Sequence, residues 1–351
     1  MIKKIVGVIL GLALSQSVMA GNPDRVGQAG AEQLVVNPWA RSSGWGGVDI
    51  AGINGVECMQ FNVAGLADIH QTEFLAARTN WLGNSTVGVN INAFGFAQTL
   101  GEDKDDAIGV SIISWDFGDI PITTVNSPEP VQGTYNISMV NIGVGYAHKF
   151  SNAIRAGVLF RAVSEGIVSV SATGVSMDAG IQYFAGDKDK IKIGVSLRNI
   201  GPAMSYSGGG LSTRGVIDGS PYSMTLESRS NEFELPSMLN IGVSYDLYFD
   251  SGSTHKLTIA GSFMSNAFDK DQEIIGLQYS YKGYLMLRGG FNYEQDIFSS
   301  DLRTKTGLGP SAGASVDLPF GKNKAKRFGI DYSYRSTIFT GTHCFGLKLT
   351  L

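Results

Sequence analysis

From residue 71 to the end of the chain, one pattern recurs: about ten residues in which apolar and polar positions alternate, then a turn. Ile154, Ala156, Val158, Phe160 and Ala162 share one parity, and Arg155 and Arg161 fall on the other. Val175, Met177, Ala179, Ile181 and Tyr183 oppose Ser176, Asp178 and Gln182, and Ile191, Ile193, Val195 and Leu197 oppose Lys192, Ser196 and Arg198. Leu239, Ile241, Val243, Tyr245 and Leu247 oppose Asn240, Ser244 and Asp246. A period of two sends such sets to opposite faces of a sheet. The pattern predicts strands over roughly 73–81, 84–97, 106–116, 135–149, 152–165, 174–184, 190–203, 236–249, 255–265, 273–281, 284–293, 309–318, 326–335 and 342–351. That is an even number, as closed single-chain membrane barrels require.

The spaces between these segments alternate in length. The connections at 117–134, 204–235 and 294–308 are long, and those at 150–151, 185–189, 250–254 and 282–283 are short. If the chain enters the barrel from the periplasm, all the long ones are external and all the short ones periplasmic, as in outer-membrane barrels. The last strand alternates to the final residue through His343, Phe345, Leu347, Leu349 and Leu351. An apolar edge of this kind invites aggregation in water; in a barrel it closes onto the first strand. Aromatic residues gather near predicted strand ends, among them Trp81, Trp115, Tyr146, Phe150, Tyr183, Tyr248 and Tyr281. They suit either the girdles of a membrane barrel or an ordinary sheet core. The expected class is therefore an all-β, transmembrane antiparallel β-barrel of about 14 strands.

The segment before residue 71 differs. Residues 1–20 read as a secretory signal peptide: Lys3 and Lys4 form the charged start, 5–14 the apolar stretch, and Val18-Met19-Ala20 the cleavage site, so the mature chain is expected to begin at Gly21. Residues 21–70 are glycine-rich without sustained alternation. Val56, Met59, Phe61, Val63 and Leu66 need burial, which favours a plug inside the lumen over a periplasmic tail. The barrel proper is then 71–351.

Composition narrows the field. Glycine numbers 46, charged residues are 17%, and mean hydropathy is only +0.05, which excludes a bundle of membrane helices. The net charge of −4 comes with no basic patch, so nucleic acid is not an expected partner; outer-membrane lipid is. Cys58 and Cys344 form no disulfide framework or metal site, and two free buried thiols are the favoured reading. His70, His148, His255 and His343 have no metal-ligand spacing, and no G-x-S-x-G elbow occurs, so an enzyme is not expected, nor a cofactor. The inward charges Arg155, Arg161, Lys192, Arg198, Asp246, Arg288, Asp331 and Arg335 suit either a solute path or, more simply, a salt-bridged, filled interior.

Two N-terminal elements carry a resemblance. Asn37-Pro38-Trp39-Ala40-Arg41-Ser42-Ser43-Gly44-Trp45-Gly46-Gly47 resembles the N-P-x-A-R-x-x-G-x-G-G opening of the PorV/PorQ family. Phe61-Asn62-Val63-Ala64-Gly65-Leu66-Ala67 resembles its N-P-A-G-L-A element, with Val63 in place of the usual proline; a similar element occurs in FadL-like transporters. The resemblance implies a fourteen-stranded FadL-like barrel in the outer membrane of Bacteroidota, with structural roles for Asn37, Pro38, Arg41, Gly44, Gly46, Asn62 and Gly65. It also implies service in type IX secretion, with the large translocon barrel or the C-terminal signal domains of secreted proteins as partners. Partner contact is expected on the loop at 204–235, through Tyr206, Leu211, Tyr222, Met224, Leu226 and Phe233; the same loop could instead pack over its own barrel. The competing reading is a FadL-like transporter of hydrophobic small molecules, which calls for an apolar pocket beneath the external loops. A passive porin would need an open polar lumen.

Overall fold

The computed structural model describes residues 21–351 except 82–87, 124–132, 217–218, 220–221, 251, 253 and 322–325. Its wall is one closed antiparallel barrel of fourteen strands. In chain order these are β1 (Glu73–Trp81), β2 (Val89–Leu100), β3 (Asp106–Asp116), β4 (Ile137–Lys149), β5 (Ile154–Ile167), β6 (Val170–Ala185) and β7 (Ile191–Ile200). Then come β8 (Met238–Tyr248), β9 (His255–Asn266), β10 (Gln272–Tyr281), β11 (Leu285–Glu294), β12 (Gly307–Phe320), β13 (Lys326–Thr337) and β14 (Thr342–Thr350). Each strand pairs with its neighbour in sequence, and β14 closes on β1 from Glu73↔Thr350 to Asn80↔His343. The apolar C-terminal strand therefore has no free edge.

The alternation read from the sequence is the alternation of the wall. On β5, Ile154, Val158 and Phe160 are exposed, while Arg155, Leu159, Arg161 and Val163 are buried. On β14, Phe345 and Leu347 are exposed and Cys344 is buried. In a soluble protein this would be inside-out. An apolar outer band around a polar interior is the arrangement of a barrel solvated by lipid. This chain is a transmembrane barrel on that geometry.

Most strand boundaries fall within about two residues of the sequence reading; the larger departures follow. β5 and β6 run on to Ile167 and from Val170, leaving a two-residue turn where a connection at 166–173 was expected. Ser164, Glu165, Ser171 and Thr173 carry this extension beyond the apolar band, so no lipid-facing alternation marks it. β7 stops at Ile200 rather than 203, after a register shift between Met177 and Ala179 of β6. Asn199 takes a positive φ of 58° there, a conformation that asparagine tolerates better than most residues. The second predicted strand, 84–97, begins in part outside the described residues, and β2 is described from Val89 to Leu100.

Residues 21–72 fill the lumen. The segment starts at the end of the barrel that carries the long connections, where the Gly30 N–H bonds the Glu234 carbonyl at 3.0 Å. It ends at the short-turn end, where the Leu351 N–H bonds the Thr72 carbonyl at 2.9 Å. Between these points it forms a short helix (Ala40–Ser43) and three 3-10 turns (Glu32–Leu34, Val56–Gln60 and Val63–Asp68). Its apolar residues, including Trp39, Ile50, Val56, Met59 and Leu66, form one cluster with inward residues of the wall such as Ile91, Ala93, Ile113 and Leu159. The main hydrophobic core of this barrel is thus the plug–wall contact.

Close approach is possible because the wall presents glycines to the plug. A Cβ on Gly290 would lie 2.4 Å from the carbonyl carbon and oxygen of Trp45, and one on Gly194 would lie 2.4 Å from the Ile50 carbonyl oxygen. These atoms are backbone and cannot swing aside. Gly289, the next residue along β11, has only a carbonyl oxygen at 3.9 Å. Gly290→Val is therefore expected to loosen the plug and lower the temperature at which the purified barrel unfolds, read as a mobility shift on semi-native gels. Gly289→Ala is expected to leave that temperature unchanged; equal behaviour of the two variants would refute the close-packed plug.

Candidate functional site

The features that bear on function are the plug's anchors, a polar cavity at the short-turn mouth, and the cover at the long-loop mouth. The anchors decide whether the lumen is a path. A plug of irregular backbone has carbonyls with no ladder to join, and each must find a donor if it is buried. The wall supplies them. Arg161 donates to the Met59 carbonyl at 3.1 Å, Gln182 to that of Ile53 at 3.0 Å, Ser196 to that of Phe61 at 2.7 Å, and Thr79 to that of Pro38 at 3.0 Å. Arg198 reaches the Leu34 carbonyl at 3.3 Å and Arg335 that of Asn37 at 3.4 Å.

The remaining inward charges are held by pairs. Arg161 and Asp178 meet at 3.1 Å, Lys192 and Asp246 at 3.0 Å, and Arg155 reaches Asp68 of the plug at 3.0 Å. Arg288 donates to Gln278 and Ser315, and Ser315 donates to Asp331. A buried ion pair contributes little net stability, but removing one partner leaves an uncompensated charge and costs about 3–5 kcal/mol. Arg155, Arg161, Arg198 and Arg335 thus fasten the plug, while Lys192 and Arg288 are held by partners on the wall, which together make a salt-bridged, filled interior.

The two N-terminal elements, 37–47 and 61–67, occupy positions with identifiable physical demands. Asn37 is buried, donates to the hydroxyls of Ser42 and Ser43 at 3.1 Å each, and accepts the Trp39 N–H at 3.0 Å, which folds the chain into the short helix. The Pro38 carbonyl accepts both Thr79 and the Cys344 thiol, the latter at 3.2 Å. Gly44 packs its Cα against Gly313, and Gly46 has a φ of +76°. Asn62 caps the 3-10 turn Val63–Asp68 by accepting the Ala64 N–H, and its amide donates to the Ile50 and Ile181 carbonyls at 3.0 Å each. Gly65 abuts the Ile53 carbonyl. Val63 opens that turn at a position where proline is favoured because its fixed φ suits the first turn. Cys58 and Cys344 are both free and buried.

Arg41 is the exception among these motif residues, because it faces space. Its nearest carboxylates are Asp331 at 3.9 Å and Asp317 at 4.0 Å. It lines a cavity of about 440 Å³ near the short-turn mouth, together with Asp49, Glu57, Lys192, Ser244 and Lys256. This cavity is polar and does not suit an apolar solute. A second hollow, of about 400 Å³, lies on the outside of the wall across the β14–β1 seam, lined by Phe74, Phe94, Phe96, Phe328 and Leu347. It belongs to the lipid-facing surface.

At the long-loop mouth, the connection 201–237 does two things. Its base folds over the lumen. Met204 and Leu235 are buried with Ala31, Leu34, Val163 and Ala172, and Tyr206 and Phe233 pack against them with ring centroids 5.3 Å apart. The Tyr206 hydroxyl donates to Glu165 at 2.5 Å. Burial, with Glu165 beside it, pushes that hydroxyl up to about 12. The tip of the loop is a two-stranded hairpin, Ser212–Val216 with Ser223–Glu227, which stands apart from the barrel sheet. Val216, Tyr222, Met224 and Leu226 are exposed on it. The six loop residues singled out from the sequence therefore divide: Tyr206 and Phe233 pack on the barrel, Leu211 is half-buried at the hairpin base, and Tyr222, Met224 and Leu226 face outward. Val216 pairs with Ser223 and so lies on the opposite face of the hairpin from Met224 and Leu226.

Several solved structures share this architecture. CymD, a monoaromatic hydrocarbon channel, aligns with a TM-score of 0.53 and 14% identity over 90% of this chain and 96% of its own. The Pseudomonas putida toluene transporter TodX gives 0.52 and 11% over 90% and 97%. A Pseudomonas aeruginosa FadL homologue gives 0.50 and 11% over 89% and 97%. The chain thus has the fold of the FadL-like barrels. No protein-family model matches it, and no curated protein does.

Two substitutions test the anchors. Asn62→Ala leaves the Ile50 and Ile181 carbonyls without that donor and is expected to destabilise the folded barrel by about 1–3 kcal/mol. Val63→Pro, one residue on, is expected to be tolerated. Urea unfolding in detergent followed by tryptophan fluorescence reads both, and a loss at Val63→Pro as large as at Asn62→Ala would contradict the capped-turn geometry.

Proposed function

We propose that this chain is a non-enzymatic barrel of the outer membrane, exported by a cleaved signal peptide, that docks proteins at the cell surface. The observation that carries the reading is the division of labour in the connection 201–237. Its base covers the lumen while its tip presents Val216, Tyr222, Met224 and Leu226 away from the barrel. Exposed apolar side chains clustered on one element mark interaction sites. A lumen crossed by plug–wall hydrogen bonds along its length argues against free passage of solute. The setting is taken from the PorV/PorQ resemblance of 37–47 and 61–67: type IX secretion, with the large translocon barrel or the C-terminal signal domains of secreted proteins as partners.

A second reading is transport of a hydrophobic small molecule. The fold likeness favours it, because CymD and TodX are named for hydrocarbon channel and toluene transport, and the names alone weigh more for this reading than for secretion. Against it stand the polar lining of the cavity beside Arg41 and the ionic anchoring of the plug.

One experiment separates the two. The tagged barrel is drawn from its native membrane in mild detergent and the companions are identified by mass spectrometry, for the whole chain and for a variant in which 212–227 is replaced by Gly-Ser. The docking reading expects a translocon barrel or cargo signal domains with the whole chain and their loss with the variant, which should still migrate as a folded barrel. A barrel that carries only fatty acid or another apolar molecule, whether or not the hairpin is present, would overturn docking in favour of transport.

A further inference from the structure

The first described residue, Gly21, lies at the long-loop mouth, although β1 enters the wall from the other end. Its backbone nitrogen donates to Asp271 Oδ2 at 2.7 Å, and the Asn22 N–H reaches the Asn266 carbonyl at 3.4 Å. Asp271 sits in the tight connection between β9 and β10. Its other oxygen accepts the Asn266 N–H at 3.2 Å, so the turn itself holds the carboxylate in place. The position has room for hydrogen only: a Cβ on Gly21 would fall 2.6 Å from Asp271 Oδ1 and 2.9 Å from the Asp269 carbonyl oxygen. The bond between Ala20 and Gly21 is also the one that the sequence Val18-Met19-Ala20 offers for signal cleavage.

We propose that the α-ammonium released at Gly21 by this cleavage is bound by Asp271 at the outer mouth, so that the mature chain starts on the cell-surface side and its plug is pinned there. Hydrolysis of the Ala20–Gly21 peptide bond consumes one water, leaves a carboxylate on Ala20 and an amine on Gly21, and the amine takes up a proton at neutral pH. As an ammonium this nitrogen makes a charge-assisted pair with the carboxylate, the stronger kind of hydrogen bond, where a peptide N–H is only a neutral donor.

The plug is thereby held at both ends, by Asp271 outside and by its covalent run into β1 at the periplasmic side. Arg25 reinforces the outer end, pairing with Glu234 at 2.8 Å and lying over the Phe268 ring. An attached leader would have to be carried through the lumen to reach this position, so processing precedes plug seating. A glycine after the cleavage site satisfies the docking position, where any side chain would collide.

The test labels intact cells with a membrane-impermeant amine-acylating ester and then maps the tryptic peptide 21–25, which has no lysine, so any acyl group on it marks the α-amine. Lys188, exposed in a turn at the opposite end, reports whether the cells stayed sealed. The expected result is a mature chain that starts at Gly21 and is labelled on sealed cells, with acylation about two- to fivefold faster in Asp271→Asn, the weight of a half-exposed ion pair. Gly21→Ala should resemble Asp271→Asn, because the added Cβ displaces the nitrogen from the carboxylate; it covers the case in which Asp271→Asn fails to assemble. A different starting residue, labelling that appears only together with Lys188, or equal rates in the wild type and both variants would overturn the proposal.

Discussion

The structure depends on one constraint: a stretch of irregular backbone lies inside a membrane barrel, and its carbonyls must be satisfied without water. Lipid-embedded walls satisfy their own backbone by closing the ladder. The plug has no ladder. Arg161, Arg198, Arg335, Gln182, Ser196 and Thr79 reach inward to its carbonyls, and Asn62 and Gln60 do the same from the plug. Long side chains with several donors suit this task, since each can bond a carbonyl and still meet a carboxylate such as Asp178. The polar lumen therefore reads as a set of fasteners for 21–72 more readily than as the lining of a channel.

The same constraint explains the glycines. A plug that bonds the wall on all sides must come within backbone contact of it, and Gly194, Gly290 and Gly313 give that contact at three separate points. Arginine donors and glycine windows are complementary parts of one surface: the first reach across gaps, and the second remove side chains where no gap exists. Between them Trp39, Ile50, Val56 and Leu66 find apolar cover. The barrel, which by itself would enclose a polar void, acquires a hydrophobic core from the segment it encloses.

Function moves to the ends as a result. At the outer mouth, Met204, Tyr206, Phe233 and Leu235 continue the plug's packing upward and close the lumen. The hairpin beyond them carries exposed apolar side chains, Val216, Met224 and Leu226. At the periplasmic mouth, Arg41 and its neighbours leave a polar hollow that opens toward the short turns. The two mouths thus differ in chemistry, one apolar and one charged.

The alternation along 73–351 determined the fourteen strands, their facing and the closure of the last onto the first, because in a barrel each strand has the same two environments and period two reports them directly. Where the wall left the apolar band, at the top of β5 and β6, that signal lapsed and the boundary was misjudged. The glycine-rich composition of 21–70 pointed to a plug, and the motif residues Asn37, Asn62 and Gly65 stood out, but not what they bond. Only the tertiary structure decided that Arg161 meets Met59, that Gly290 faces Trp45 while Gly289 faces outward to open space, and that Tyr206 and Tyr222, alike in sequence and in the same loop, point to opposite fates. A residue's face on a strand is a local property of the chain; its partner across a lumen depends on how all fourteen strands close.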